Sequence, residues 1–319
     1  MSRRDSRPAQ SRFVEPVRSM VTPRRNHVDL HCHTDRSDGV LPPLELYAAM
    51  RDAGVRYAAV TDHDTITGYR DLADMGVGPQ AGEGGPQLIS GVEINSVADP
   101  ELLAMGVELE EGELHMLGFG MRIDDETFAA RLAGQRDGRR TRLLLMIDAL
   151  RDLGYPIDDE IAPILESEEA LGRPHIARAL VRAGHVASVQ DAFDRLIDRN
   201  GPAYIPRQGL RTSQAIEAII EAGGIAVLAH YPAAPEQPEL IDLLAGWGVT
   251  GVEVYYRRFE PTTTALMAEL ARKRGLLATG GSDYHGDTMS YAQAHATTLV
   301  PEAAAEELLA ALASGTTAR

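Results

Sequence analysis

Cysteine is nearly missing from this chain, with one residue, Cys32, in 319. A lone thiol closes no internal disulfide and builds no cysteine-rich zinc site, so any metal here must be held by nitrogen and oxygen. Long apolar runs are also lacking: those near membrane length are broken by charge or glycine, which excludes a spanning helix. The amino-terminal MSRRDSRPAQSRFVEPVRS carries arginines with no apolar stretch behind them, so no secretion signal is read and the cytoplasm is the expected compartment. Positive charge is the minority sign, with 31 Lys and Arg against 47 Asp and Glu and a formal charge of −16. That balance argues against coating nucleic acid through a general basic surface. It leaves room for a small anionic substrate, and for carboxylates that divalent cations neutralise locally.

What is present is a globular composition, 44% hydrophobic, enough for one large core or two smaller ones. Short β-branched or apolar runs (HVDLHCH, YAAVTDHD, QLISGVEIN, ELHMLGFG, GIAVLAHY, GVEVYY, LLATGGSDYH) alternate with helical patterns, the signature of β/α units around a parallel sheet or barrel. LPPLELYAAMRDAG opens on prolines and ends at Gly54, and RTSQAIEAIIEAGG repeats the pattern with Thr212 or Ser213 as its expected N-cap. From about Asp124 to Tyr204 the alternation stops and helix follows helix. The expected organisation is a disordered arm over 1–26, a barrel in two parts (27–123 and 205–319), and an all-helical insertion over 124–204. The basic run RDGRRTR at Arg136 reads as a solvated helix face, His295 as part of an alternating, strand-like AQAHATTLV, and Cys32 as a small buried residue.

The chemistry-bearing residues fall where apolar runs stop. In VDLHCHTDRSDG, residues i and i+2 of an extended segment project together, so His31 and His33 form a pincer with Cys32 turned away. TDHDT supplies Asp62, His63 and Asp64; GVE supplies Glu93; ELHM supplies His115; LAHY supplies His230; SDYH supplies Asp283 and His285. Singly, each has an ordinary structural explanation. Six of ten histidines at expected strand ends, with several carboxylates beside them, are much harder to explain so, because strand ends of a β/α barrel converge on one face.

HCHTDRSDG, TDHDT, GVE, the later isolated histidines and SDYH together resemble the motifs of the PHP (polymerase and histidinol phosphatase) metal-dependent phosphoesterases, over about residues 27 to 300. GRPHIARAL followed by GPAYIPR resembles, more narrowly, the bacterial branch that dephosphorylates nucleoside 3′,5′-bisphosphates and trims short RNA from its 5′ end. The resemblance implies a distorted seven-stranded β/α barrel with three divalent metals. His31, His33, Glu93 and Asp283 would surround one; a second would share Glu93 and add His115 and His230; the third would take Asp38, His63 and His285. Asp35 is an alternative to Asp38, and spacing to the SDG turn favours Asp38. Imidazole and carboxylate suit manganese, zinc or iron, with magnesium also possible, and water on such cations loses a proton near neutral pH to become a nucleophile. Asp62 and Asp64 are then expected to orient His63 or a helix start.

Arg173, Pro174 and His175 open an expected helix whose free amides, with the two cationic side chains, make an anion site; Arg207 is a weaker candidate for the same pocket. The competing reading makes Arg173 and Arg178 surface charges and His175 a packing residue. The expected partner is a phosphorylated nucleotide or short oligonucleotide, with no membrane and no obligate protein partner. Two alternatives fit part of the pattern. An amidohydrolase-type barrel also begins with His-x-His, but typically uses a bridging lysine, and lysine is very scarce here. A non-catalytic PHP module fits poorly with a complete set of ligand-type residues.

Overall fold

The computed structural model of the protein describes residues 26–78, 84–107, 109, 112–166, 170–286 and 288–315. Apart from Asn26, the amino-terminal arm lies outside the described residues. Seven strands follow one another around a nearly closed barrel in the order β1 to β7: Val28–Asp29, Tyr57–Val60, Gln87–Val97, Glu113–Phe119, Ile225–Leu228, Val249–Tyr256 and Leu277–Gly281. The ring is completed where Leu30 N donates to Gly280 O (3.1 Å) and Asp283 N to His31 O (2.7 Å). A Cβ at Gly281 would stand 2.3 Å from the His31 nitrogen, so glycine there lets β7 approach the histidine pincer.

The barrel is not all parallel. β1 to β3 and β5 to β7 run parallel, but β4 is antiparallel to both β3 and β5. This corrects the expectation that every site residue ends a strand: His115 lies near the start of β4, and only the reversal brings it to the rim where the parallel strands finish. Glu93 likewise sits within β3, which continues to Val97. β1 is shorter than HVDLHCH suggests, and Cys32 joins the sheet through one bridge to Tyr284.

Helices α1 (Pro43–Ala53), α2 (Thr67–Asp74) and α3 (Pro100–Ala104) follow the first strands. After β4 come α4 (Glu126–Asp152), α5 (Asp158–Leu165), α6 (Arg173–Arg182) and α7 (Val189–Ala192), the last running into a π-helical turn at Phe193–Ile197. Next come α8 (Thr212–Glu221), α9 (Pro238–Trp247), α10 (Pro261–Arg274), α11 (Tyr291–Ala296) and α12 (Glu302–Ser314). Neither expected residue caps α8. Arg211 occupies the N-cap, and Ser213 gives its amide and hydroxyl to Asp99, so a carboxylate from another segment serves that helix start.

The 27 residues of α4 span roughly 40 Å. Phe128 and Leu132 belong to the apolar cluster of the barrel, whereas Leu143, Met146, Ile147 and Leu150 belong to a separate cluster with α5 to α7. Between these apolar ends the buried stripe turns polar, at Gln135, Arg139 and Arg142. The reading of RDGRRTR as a solvated face is therefore corrected: two of its arginines are inward. His295 is corrected too. SYAQ is a capping box, Ser290 accepting from Gln293 N, and it starts a helix where alternation suggested a strand.

Candidate metal centre and substrate cavity

Glu93 is the hub of the barrel rim. Its Oε2 lies 3.2 Å from His31 Nε2, 3.2 Å from His33 Nε2 and 3.1 Å from His63 Nδ1. Its Oε1 lies 2.8 Å from His115 Nδ1 and 3.0 Å from His230 Nε2. Around it the ligand-type atoms fall into three compact groups: His31, His33, Glu93 and Asp283; Glu93, His115 and His230; and His33, Asp38, His63 and His285. All nine candidate residues are thus brought together. In the third group Asp38 Oδ1 is 3.2 Å from His285 Nε2, and Asp38 Oδ2 is 3.7 Å from His63 Nε2. Asp35 joins none of the groups; its carboxylate lies beside Arg36.

The donor set fits divalent cations. Both ring nitrogens of His33, Nδ1 of His63 and Oδ1 of Asp38 are buried and meet no neighbour in hydrogen-bonding geometry, although His33 Nε2 and His63 Nδ1 lie within 3.2 Å of Glu93 Oε2 and Asp38 Oδ1 within 3.2 Å of His285 Nε2. Unmade bonds of this kind cost roughly 1–3 kcal/mol each, and cations would use the lone pairs that the protein leaves idle. The electrostatics point the same way. Burial pulls the His33 ring toward neutrality, yet Asp283 and Glu93 outweigh it and lift His33 to about 10. Burial would raise the Glu93 carboxyl, but His63, His31 and His115 hold it well below the ordinary range. His63 goes the other way: burial outweighs Asp38 and Glu93 and lowers that ring well below its ordinary value.

Second contacts fix the rings. Buried Glu253, which the sequence reading missed, takes His31 Nδ1 at 2.9 Å and the His230 amide at 2.8 Å. A proton on His31 Nδ1 leaves Nε2 free to face Glu93 and Asp283. Tyr256 donates to Asp283 Oδ2 at 2.9 Å. Asp62 does not orient His63 or cap a helix; it accepts from Thr34 N, Thr34 Oγ1 and Ser37 Oγ, each at 2.7 Å, and so braces the loop that carries Asp38. Asp64 contacts Arg139 and lies 3.6 Å from Arg207 Nη1, facing away from the cluster. Asp64 and Asp283 are the only non-glycine residues with positive φ among the described residues, at +50° and +45°. Such backbone is disfavoured for side-chain-bearing residues, and both instances flank this site.

Above the cluster opens a cavity of about 460 Å³, lined by Asp38, His63, Glu93, His115, His230, Asp283 and His285 and also by Arg139, Arg142, Arg173, Arg207 and Arg258. Arg207 is held by Glu113 at 2.8 Å, and burial, with Arg139 nearby and against the pull of Glu113 and Asp64, lowers it to about 10. Arg173 lies over the Phe193 ring, which also lines the cavity. His175 does not line it: its Nδ1 accepts from Gly172 N at 3.0 Å and closes the first turn of its own helix. Lys273, the sole lysine, is exposed on α10 beside Glu269, so no lysine can bridge the cluster as the amidohydrolase alternative requires.

No family model matches the sequence. The 5′-3′ exoribonuclease Rnm of Escherichia coli K12 is 32% identical over 265 residues, which covers 81% of this chain and 84% of that protein. A 3′,5′-nucleoside bisphosphate phosphatase of Chromobacterium violaceum is 28% identical over 264 residues, covering 81% and 87%. A solved structure from Bifidobacterium adolescentis, given provisionally as a metal-dependent phosphoesterase, superposes with a TM-score of 0.73 at 30% identity over 90% of this chain and 97% of that one. With this barrel, this cluster and relatives of this closeness, the chain belongs to the PHP family of metal-dependent phosphoesterases.

Proposed function

We propose that the chain hydrolyses phosphate esters of nucleotides, taking a nucleoside 3′,5′-bisphosphate or the 5′ end of a short RNA, with three divalent cations in the Glu93 cluster. The observation that carries this reading is a single cavity with coordinating groups on its floor and buried arginines in its wall. The first cation is assigned to His31, His33, Glu93 and Asp283, the second to Glu93, His115 and His230, and the third to Asp38, His63 and His285. Manganese, zinc and iron suit these donors, and magnesium is a further candidate. Such cations, when bound, polarise phosphoryl oxygens and lower the pKa of water.

The chain's own residues supply placement. Arg173 and Arg207 present fixed donors to phosphate oxygens, and Arg207 keeps its charge at neutral pH despite burial. His175 leaves the substrate set because its ring serves its helix. Tyr256 and Glu253 hold Asp283 and His31 against rotation as substrate charge enters. Residues 124–204 form the cover that holds substrate over the barrel of 27–123 and 205–319. The names of the exoribonuclease and the bisphosphate phosphatase support the two substrate forms. Among the described residues no helix is long and apolar enough to cross a membrane; the compartment assigned is the cytoplasm, with no obligate protein partner.

Purified protein with added Mn²⁺ is expected to release phosphate from a nucleoside 3′,5′-bisphosphate and mononucleotides from a short 5′-phosphorylated RNA. Release of neither overturns the substrate assignment. Deamination or lactone opening in place of phosphate release would favour amidohydrolase chemistry.

A further inference from the structure

One arginine in the cavity wall is committed differently from the rest. Arg139 sits in the polar middle of the α4 stripe and is 5% exposed. Its Nε donates to Asp64 Oδ2, its Nη2 to Asn95 Oδ1 at 2.6 Å, and its Nη1 to the Leu171 carbonyl at 3.3 Å. Those acceptors belong to three separate segments: the residue after His63, strand β3, and the turn into α6. A guanidinium offers five N–H groups in a rigid fork, and here all three nitrogens are turned to protein.

Two of the acceptors adjoin histidines of the cluster. Asp64 directly follows His63 and holds its left-handed backbone while α4 grips it twice more, through Gln135 Nε2 on its carboxylate (3.3 Å) and Arg136 Nη1 on its carbonyl (3.1 Å). Asn95 pairs with His115 across the β3–β4 ladder, and its amide nitrogen donates to His115 Nε2 at 2.6 Å. With Nε2 accepting, the ring proton sits on Nδ1, which donates to Glu93 Oε1 at 2.8 Å and would give way to a cation bound there. One side chain of the helical cover therefore touches the immediate supports of two cluster histidines on different strands.

We infer that Arg139 is a positioning residue, which from the helical cover sets His63 through Asp64 and His115 through Asn95, and so links seating of the cover to cation binding in the barrel. The inference rests on the metal-centre reading above. It separates Arg139 from Arg173 and Arg207, which are assigned to substrate: all three guanidinium nitrogens of Arg139 are spent on acceptors that support the cluster.

The test uses the full chain, stripped of metal and titrated calorimetrically with Mn²⁺ alone, with thermal unfolding and inorganic phosphate binding measured on the same samples. Arg139→Lys keeps the charge but cannot span three acceptors, and Asn95→Ala cuts only the His115 arm. Loss of a residue that orients a ligand weakens metal binding about 10- to 100-fold. That loss is expected for Arg139→Lys, with a smaller one for Asn95→Ala, and kcat should fall more than KM rises. Folded variants with unchanged Mn²⁺ affinity and weaker phosphate binding overturn the inference and make Arg139 an anion clamp. A lowered melting temperature with unchanged Mn²⁺ affinity overturns it as well, as a purely structural role. Wild-type protein that takes up no Mn²⁺ overturns the metal-centre reading itself, whereas wild-type uptake with unaffected variants overturns only the role of Arg139.

Discussion

Two buried carboxylates, Asp29 and Glu93, both face histidine, and they behave oppositely. Asp29 is saturated: it accepts from Ser282 N (2.8 Å), Ser282 Oγ (2.7 Å) and Tyr291 Oη (2.9 Å), with His295 Nδ1 at 3.5 Å. His295 in turn uses Nε2 on the Asn26 carbonyl at 3.0 Å. Glu93 faces five imidazoles, among which buried nitrogens of His33 and His63 have no hydrogen-bond partner. Each is a buried carboxylate beside histidine, so burial and a histidine neighbour do not by themselves distinguish a brace from a site. Satisfaction does: a closed network specifies structure, while a buried network left open is waiting for a ligand.

Substitution at the two carboxylates should therefore separate activity from stability. Glu93→Gln is expected to lower kcat/KM by about 10³-fold or more, a loss of the size seen when transition-state charge stabilisation is removed, with little fall in melting temperature. Steady-state kinetics beside thermal unfolding check both halves. Asp29→Ala should do the reverse at first order, costing about 3–5 kcal/mol of stability by leaving buried donors and the His295 charge without a partner. Equal losses of activity and stability in both variants would erase the distinction.

The same comparison shows what could be read from the sequence. The His-x-His pincer, TDHDT and SDYH were legible because their residues adjoin apolar runs, and the structure brings all nine candidates together. Strand direction was not legible: alternation in ELHMLGFG is identical forwards and backwards, so His115 was expected at a strand end and lies at a strand start. Arg139 and Arg142 were misread because a run of arginines suggests solvent, although Phe128, Leu132, Gln135, Arg139, Arg142, Met146 and Leu150 recur at helical spacing on one buried stripe. Glu253 was missed inside GVEVYY, where period two sets it opposite Val252 and Val254 and so on the face of the site. His295 lies in a helix where alternation suggested a strand, because the Ser-x-x-Gln signal before it starts that helix.

Glu253 lies between the two extremes, saturated itself yet serving the open cluster. Glu253→Gln keeps the volume and an acceptor for His31 Nδ1, but its amide turns a donor toward the His230 amide. Metal affinity is expected to drop about 10- to 100-fold, with a smaller change in stability than Asp29→Ala. Elemental analysis after dialysis at fixed free Mn²⁺ reads this directly.

The smallest expected effect concerns pH and sharpens the brace. Burial disfavours the charged His295 ring, but the hydrogen bond and charge of Asp29 outweigh it and raise His295 above the ordinary 6.5. Burial would likewise raise Asp29, yet His295 and the Ser282 donors hold it below 3.8. A raised histidine contributes stability that is complete below its unfolded value and is lost as pH climbs through the folded one; a lowered aspartate contributes stability that is present above its unfolded value and is lost as pH falls through the folded one. The pair is thus strongest between the two. His295→Gln removes only the alkaline limb, so the difference in unfolding midpoint between wild type and variant should shrink as pH rises above 6.5. Because raised histidines such as His33 add their own slope to both proteins, the difference isolates the Asp29 pair. A difference that stays constant across that range would mean His295 is neutral in its network and the brace is held by Ser282 and Tyr291 alone.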